Sequence, residues 1–311
     1  MKSILILLLL LVTTLSFGQS ADEYYESARK ELASNNEKAA LKWIDKAIKA
    51  NPNNEKYHNL KGLILIKLEE YQKAYEAYSL GLVVNPKYYE LYMNRGNLFL
   101  STTQYGDAIA DFNEAARVAD NDSSKYSAIM NRASAKLSIR EFESAYEDLM
   151  QCYAFDSTDV GTLTNLGAVC DEIGRGDETL KYLLKAVEVD PEFYAAYGNI
   201  GFKYQEMGEY QKAIEYFDIV LKFSPDDPIG LSNRSYNKLM LGDAKGAMKD
   251  IEKSIKLYPV NSYAYKNRAL VHLKNGDNEK ACDDLLMAIE KGFTEMFGQE
   301  VNELIEKHCK R

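Results

Sequence analysis

Proline is scarce in this chain, six residues among 311, and glycine supplies only 18. So little of either leaves no room for long flexible or proline-rich linkers. A basic excess is also missing: 38 Lys and Arg face 47 Asp and Glu, a formal net charge of −9. That excludes a general binder of nucleic acid or of anionic membranes, because both need a positive field. Histidine occurs three times and cysteine four. His58 and His272 fall on packing positions of the pattern described below, and His308 beside Cys309 offers too few ligands for zinc. The sequence holds no glycine-rich phosphate loop and no Ser-His-Asp arrangement. Carboxylate pairs such as Asp171–Glu172 and Asp283–Asp284 read as solvated charge or as partners of arginine. The expectation is a chain that is not an enzyme, with no metal and no cofactor.

Long apolar runs are equally rare. The longest, Ile4 to Val12, has nine residues, too few for a hydrocarbon core of ~30 Å. With Lys2 before it and the small residues Ser16 and Gly18 after it, it reads as a cleavable signal peptide over residues 1–18. Cleavage is expected after Gly18, with Ser20 as the second choice and an uncleaved anchor as the alternative. No cysteine near residue 18 suggests a lipid anchor. The segment is similar to bacterial export signals. An exported protein, periplasmic or secreted, is therefore expected, without membrane insertion of the mature chain.

What the chain has in abundance is repetition. Pro52 and Pro86 lie 34 residues apart, and so do Pro191, Pro225 and Pro259. The stretch "GEYQKAIEYFDIVLKFSP" at 208–225 echoes "EEYQKAYEAYSLGLVVNP" at 69–86. With the proline at position 32, the repeats run 21–54, 55–88, 89–122, 126–159, 160–193, 194–227, 228–261 and 262–295, with Ser123 to Lys125 inserted after the third. Position 8 is always small: Ala28, Gly62, Gly96, Ala133, Gly167, Gly201, Ser235 and Ala269. Positions 20 and 27 are mostly small as well. Positions 4, 8 and 11 share one face of a helix, and 20, 24 and 27 share one face of a second. Larger residues such as Tyr92, Phe99 and Phe112 fill the space around the small ones. Proline then ends the second helix.

This pattern resembles the tetratricopeptide repeat family over residues 21–293, as an exported bacterial member. The resemblance implies an all-α, right-handed superhelical solenoid of eight stacked helix-turn-helix repeats. The last residues, 294–311, are expected to form a C-terminal capping helix with Phe297, Val301, Leu304 and Ile305 on its apolar stripe.

Asn-Arg recurs at positions 6 and 7. Arginine fills position 7 in four repeats, as Arg95, Arg132, Arg234 and Arg268. The same four carry an acid sixteen residues later, as Asp111, Asp148, Asp250 and Asp284. The other four repeats lack both. This matched occurrence implies an ion pair stapling each hairpin. Asparagine fills position 6 in six successive repeats: Asn94, Asn131, Asn165, Asn199, Asn233 and Asn267. Two readings stand. Each amide bonds a neighbouring repeat, or the row lines the inner face, where it resembles the asparagine ladder of peptide-binding members. Ile229, Tyr236, Met240 and Tyr263 would then form an apolar lining, and Glu172 and Glu206 with Asp171 and Gln205 an acidic one. Such a ligand would avoid strong negative charge. Cys152 and Cys170 fall on packing positions, whereas Cys282 and Cys309 lie on helices expected to be antiparallel neighbours, so a disulfide between them is possible. The functional expectation is a non-catalytic scaffold for a protein or extended peptide. The alternative is a structural or self-associating subunit of a cell-envelope assembly. Neither fixes an oligomeric state.

Overall fold

The structure, a computed structural model, describes residues 20–309. The expected signal peptide lies outside the described residues. Among the described residues there are 18 helices and no strand. They fall into two compact units divided after Ile139. The first unit holds α1 (Ala21–Ala33), α2 (Glu37–Ala50), α3 (Glu55–Lys67), α4 (Tyr71–Val84), α5 (Tyr89–Ser101), α6 (Tyr105–Val118) and α7 (Asp122–Ser138). The second holds α8 (Phe142–Phe155), α9 (Val160–Glu172), α10 (Gly176–Val189), α11 (Tyr194–Glu206), α12 (Tyr210–Phe223), α13 (Pro228–Met240), α14 (Ala244–Leu257), α15 (Ser262–Lys274), α16 (Asn278–Glu290), α17 (Phe293–Phe297) and α18 (Glu300–His308).

Each complete hairpin has the same local construction. The first helix has 13 residues and closes with position 15 in the left-handed region, as at Gly208 (φ +75°) and Gly242 (φ +91°). The next N–H then bonds a carbonyl five residues back, as Glu209 does to Tyr204 and Asp243 to Lys238, which satisfies a helix-end acceptor. The second helix ends before the proline; the Asn85 N–H bonds the Gly81 carbonyl and Pro86 follows. The inserted Ser123–Lys125 does not form a loop. Asn121 caps α7, and the insertion lengthens that helix to 17 residues.

Packing explains the small residues. A Cβ on Gly96 would meet the Phe112 ring at 2.7 Å, and one on Gly62 would meet the Tyr78 ring at 2.1 Å. Position 24 thus lies directly on position 8, and the two helix axes approach over a missing side chain. Position 4 has a second task. The Tyr92 and Tyr265 hydroxyls donate to the carbonyls of Pro86 and Pro259 at 3.2 and 3.1 Å, and His58 Nε2 lies 2.8 Å from the Pro52 carbonyl. The histidine therefore does the work of the tyrosines.

The C-terminal segment is two short helices rather than one. Val301 of α18 is buried, with Leu304 and Ile305 packed beside it, but Phe297 lies on α17 and is about half exposed. Gly292 and Gly298, both at positive φ, flank α17 and break the expected single helix. A disulfide joins Cys282 of α16 to Cys309, with Cα atoms 5.7 Å apart. Cys152 and Cys170 are buried and reduced, and burial pushes the Cys170 thiol up to about 11.

Candidate peptide-binding groove

Position 6 lies ~200° around the first helix from position 8 at ~100° per residue, so the asparagine row faces away from its own hairpin partner. The structure divides that row. In the first unit, Asn94 Nδ2 donates to Asn59 Oδ1 at 2.8 Å and Asn131 Nδ2 donates to Asn97 Oδ1 at 3.1 Å. In the second unit, buried Asn267 donates to both oxygens of Ser232 at 3.2 Å. These three amides tie a first helix to the first helix of the preceding repeat. Asn165 and Asn233 are half-buried, and Asn199 is exposed. Neither reading of the row therefore holds along its whole length.

Asn199 and Asn233 share a recess of about 340 Å³. Tyr194, Gly198 and Phe202 of α11 form one wall, Ile229 and Gly230 of α13 the other, and Phe217 and Val220 of α12 line it as well. The space exists because Ala195, Gly198 and Gly230 carry little or no side chain where larger residues would fill it. Phe202 and Ile229 stay exposed at the rim. The arrangement offers two amides, each with a donor and an acceptor, above apolar walls.

The acidic lining is largely compensated. Lys203 Nζ bonds Asp171 and lies 3.4 Å from Glu206, and Arg140 reaches Glu172 at 3.5 Å. Gln205 is buried and accepts a bond from Asn237 at 2.7 Å.

The arginines lie at the hairpin contacts. Arg95 grips Asp111 through Nε and Nη2 at 2.8 and 2.7 Å, Arg234 grips Asp250 at 2.7 and 2.8 Å, and Arg268 grips Asp284 at 2.8 and 2.6 Å. The remaining guanidinium nitrogen reaches the preceding repeat: Arg95 Nη1 to Ser79 and Arg234 Nη1 to Asp218, at 3.0 and 2.7 Å. Arg132 Nη1 does the same to Asn113 at 2.7 Å, and Asp148 is buried in the second unit. Lys61, at position 7 without an acid at position 23, reaches Asp45 at 2.8 Å. Position 7 thus joins repeats as well as helices, a partner that spacing within one repeat did not reveal.

Two of these buried carboxylates end on opposite sides of the usual range. Burial pushes the Asp111 carboxyl up, and the bonds from Arg95 only partly offset it. At Asp250 burial acts the same way, but hydrogen bonds from Arg234 and Lys238 outweigh it and hold the carboxyl below the usual range. The difference is position 11, which is Lys238 in one repeat and Phe99 in the other. Among the described residues, no group of three or more His, Cys, Asp or Glu is placed to hold a metal ion. No described helix is long and apolar enough to cross a membrane.

Tetratricopeptide repeat models match residues 59–126, 194–227 and 251–283. The chain belongs to the tetratricopeptide repeat family. Its fold is similar to that of a chain in the APC/C hetero-tetramer Cut9-Hcn1, with a TM-score of 0.65 and 15% identity over 94% of this chain and 56% of that one. It is also similar to Pseudomonas aeruginosa pilF, with a TM-score of 0.58 and 15% identity over 69% of this chain and 96% of that one. These likenesses show the tetratricopeptide solenoid fold. In sequence it is similar to Protein SGT1 homolog of Oryza sativa subsp. japonica, 29% identical over 104 residues, which are 33% of this chain and 27% of that protein. The chain therefore spans about a quarter of that relative. Tetratricopeptide repeats mediate protein–protein contact in general, and the fold is that of an interaction scaffold.

Proposed function

We propose that the chain is a non-catalytic, exported scaffold whose second unit binds an extended peptide across α11 and α13. The carrying observation is the recess itself. Asn199 and Asn233, one repeat apart, stand over Phe217 and Val220 with Phe202 and Ile229 at the rim. The amides bond the peptide backbone whatever its sequence, and an apolar peptide side chain fills the recess. The disulfide between Cys282 and Cys309 supports the exported reading, since such bonds persist in oxidising compartments.

The test begins with a displayed random-peptide library panned on the mature, oxidised chain. Selected peptides should carry an apolar anchor. Calorimetry should show that Asn199→Ala with Asn233→Ala weakens binding by about 1–3 kcal/mol, as lost amide bonds in a partly buried site do. The melting temperature should barely move, because neither side-chain amide holds the stack together. Unchanged affinity in that variant overturns the groove. Self-association in light scattering at low concentration, with no peptide selected, favours a structural subunit instead.

A further inference from the structure

Lys266 of α15 is 2% exposed, which is rare for a lysine. Its ammonium donates to both carboxylate oxygens of Glu300 at 3.2 and 3.3 Å. It also lies over the rings of Tyr263 and Tyr236, 4.4 and 5.3 Å from their centroids. The two halves of this ion pair are held very differently. The lysine and tyrosines belong to the repeat stack. Glu300 is the first residue of the nine-residue α18, its side chain is 53% exposed, and Gly298 lies two residues before it.

Register adds a second observation. Tyr236, Tyr263 and Lys266 occupy positions 9, 2 and 5 of consecutive repeats. One repeat earlier those positions are Phe202, Ile229 and Ser232, and the first two line the recess between α11 and α13. Glu300 therefore sits where a ligand running along this face would reach the last repeat. A buried ammonium is costly without an anion, and burial pulls the Lys266 amine below its usual range. The stack thus contains a cation that needs a carboxylate, and the cap supplies one. The other end of α18 is tied covalently to α16 through Cys309 and Cys282.

We propose that Lys266, Tyr236 and Tyr263 form a site for a carboxylate of an acidic peptide, that Glu300 occupies it in cis, and that the Cys282–Cys309 disulfide latches Glu300 in place. Reduction adds two electrons and two protons, supplied by a dithiol, and gives two thiols. Held then by the chain at Gly298, by the packing of Val301, Leu304 and Ile305 and by the bond from Asn302 to Thr294 at 3.3 Å, α18 opens and a partner's carboxylate can replace Glu300. The proposal extends the peptide groove by one repeat. Its test does not use the Asn199–Asn233 recess, so either can fail alone.

The probe is a fluorescent peptide with the sequence of residues 299–309 and serine in place of Cys309. It is added to the full chain, oxidised or reduced with a dithiol, and to the Cys309→Ser full chain. Binding should be at least tenfold tighter to the reduced chain and to Cys309→Ser than to the oxidised chain. The same peptide with Glu300→Gln should lose about tenfold. Hydrogen exchange of α18 amides should accelerate at least tenfold on reduction while α13 and α15 stay protected, which separates cap opening from unfolding. Equal binding to oxidised and reduced chains, equal binding of the Glu300→Gln peptide, or unchanged α18 exchange would each overturn the proposal.

Discussion

Asp250 shows how a single carboxylate differs from its counterpart in another repeat. It accepts from Arg234 and Lys238, while Arg234 keeps a further bond to Asp218. Asp250→Ala leaves two cations short of their partner. Arg234→Leu leaves Asp250 still paired with Lys238. Denaturant unfolding should therefore show the larger loss for Asp250→Ala, about 3–5 kcal/mol if the burial is nearly complete, with the double variant losing less than the sum. Equal single effects that simply add would contradict the shared network. The pH dependence has a definite sign. Asp250 is depressed in the fold, so it contributes stability above the ordinary carboxylate range and loses it as pH falls through the folded value. Asp111 is raised, so its ionisation is penalised in the fold and protonation on acidification relieves that. Carboxyl carbon shifts should show Asp250 titrating at lower pH than Asp111, and Lys238→Met should bring Asp250 upward; the reverse order would refute the role given to Lys238. The Arg–Asp matching was legible because two residue types varied together within one chain. The contacts of Arg95, Arg132 and Arg234 to the preceding repeat were not, because position 25 there is chemically varied: Ser79, Asn113 and Asp218.

At the scale of the hairpin, one turn position separates the earlier repeats from the later ones. Position 15 is left-handed throughout the described repeats. In the later repeats it is Gly174, Gly208, Gly242 and Gly276, but in the earlier ones it is Asn35, Glu69, Thr103 and Arg140, at φ from +54° to +61°. A β-branched residue is the most strained there. Thr103→Gly should stabilise the α5–α6 hairpin by about 1 kcal/mol, read as a higher denaturation midpoint, while Gly208→Ala should cost about as much between α11 and α12. A neutral or destabilising Thr103→Gly would mean that its turn is relaxed by contacts elsewhere. Hairpin existence and length were readable from the 34-residue period, since proline, small residues and aromatic residues each recur for a steric reason. The insertion at Ser123–Lys125 was readable as extra length but not as helix, because its fate depends on the Asn121 cap. The terminal segment read as one helix because its apolar spacing ignored Gly298, which turns the chain between α17 and α18.

Across the whole chain, repetition conceals where function sits. Six asparagines in register read as one continuous surface, yet the fate of each is set by residues the period does not fix. Asn94 meets Asn59, Asn267 meets Ser232, and Asn199 and Asn233 border space left by Gly198 and Gly230. Fold was legible from what repeats share, and the groove lies in what they do not. In a stack of repeats, stability and its loss are local, passing mainly between neighbours. Phe112 and Phe217 occupy the same position, each packed on a glycine and each buried, one in the first unit and one lining the recess in the second. Phe→Ala at either site should cost about 3–5 kcal/mol locally, with amide exchange rising in α5–α6 for Phe112→Ala and in α11–α12 for Phe217→Ala. A peptide selected on the intact chain should lose at least tenfold in affinity with Phe217→Ala and keep its affinity with Phe112→Ala. Equal losses from both variants would show that the ligand spans the two units or that the stack unfolds as one body, and the placement of the groove on α11 and α13 would then fall.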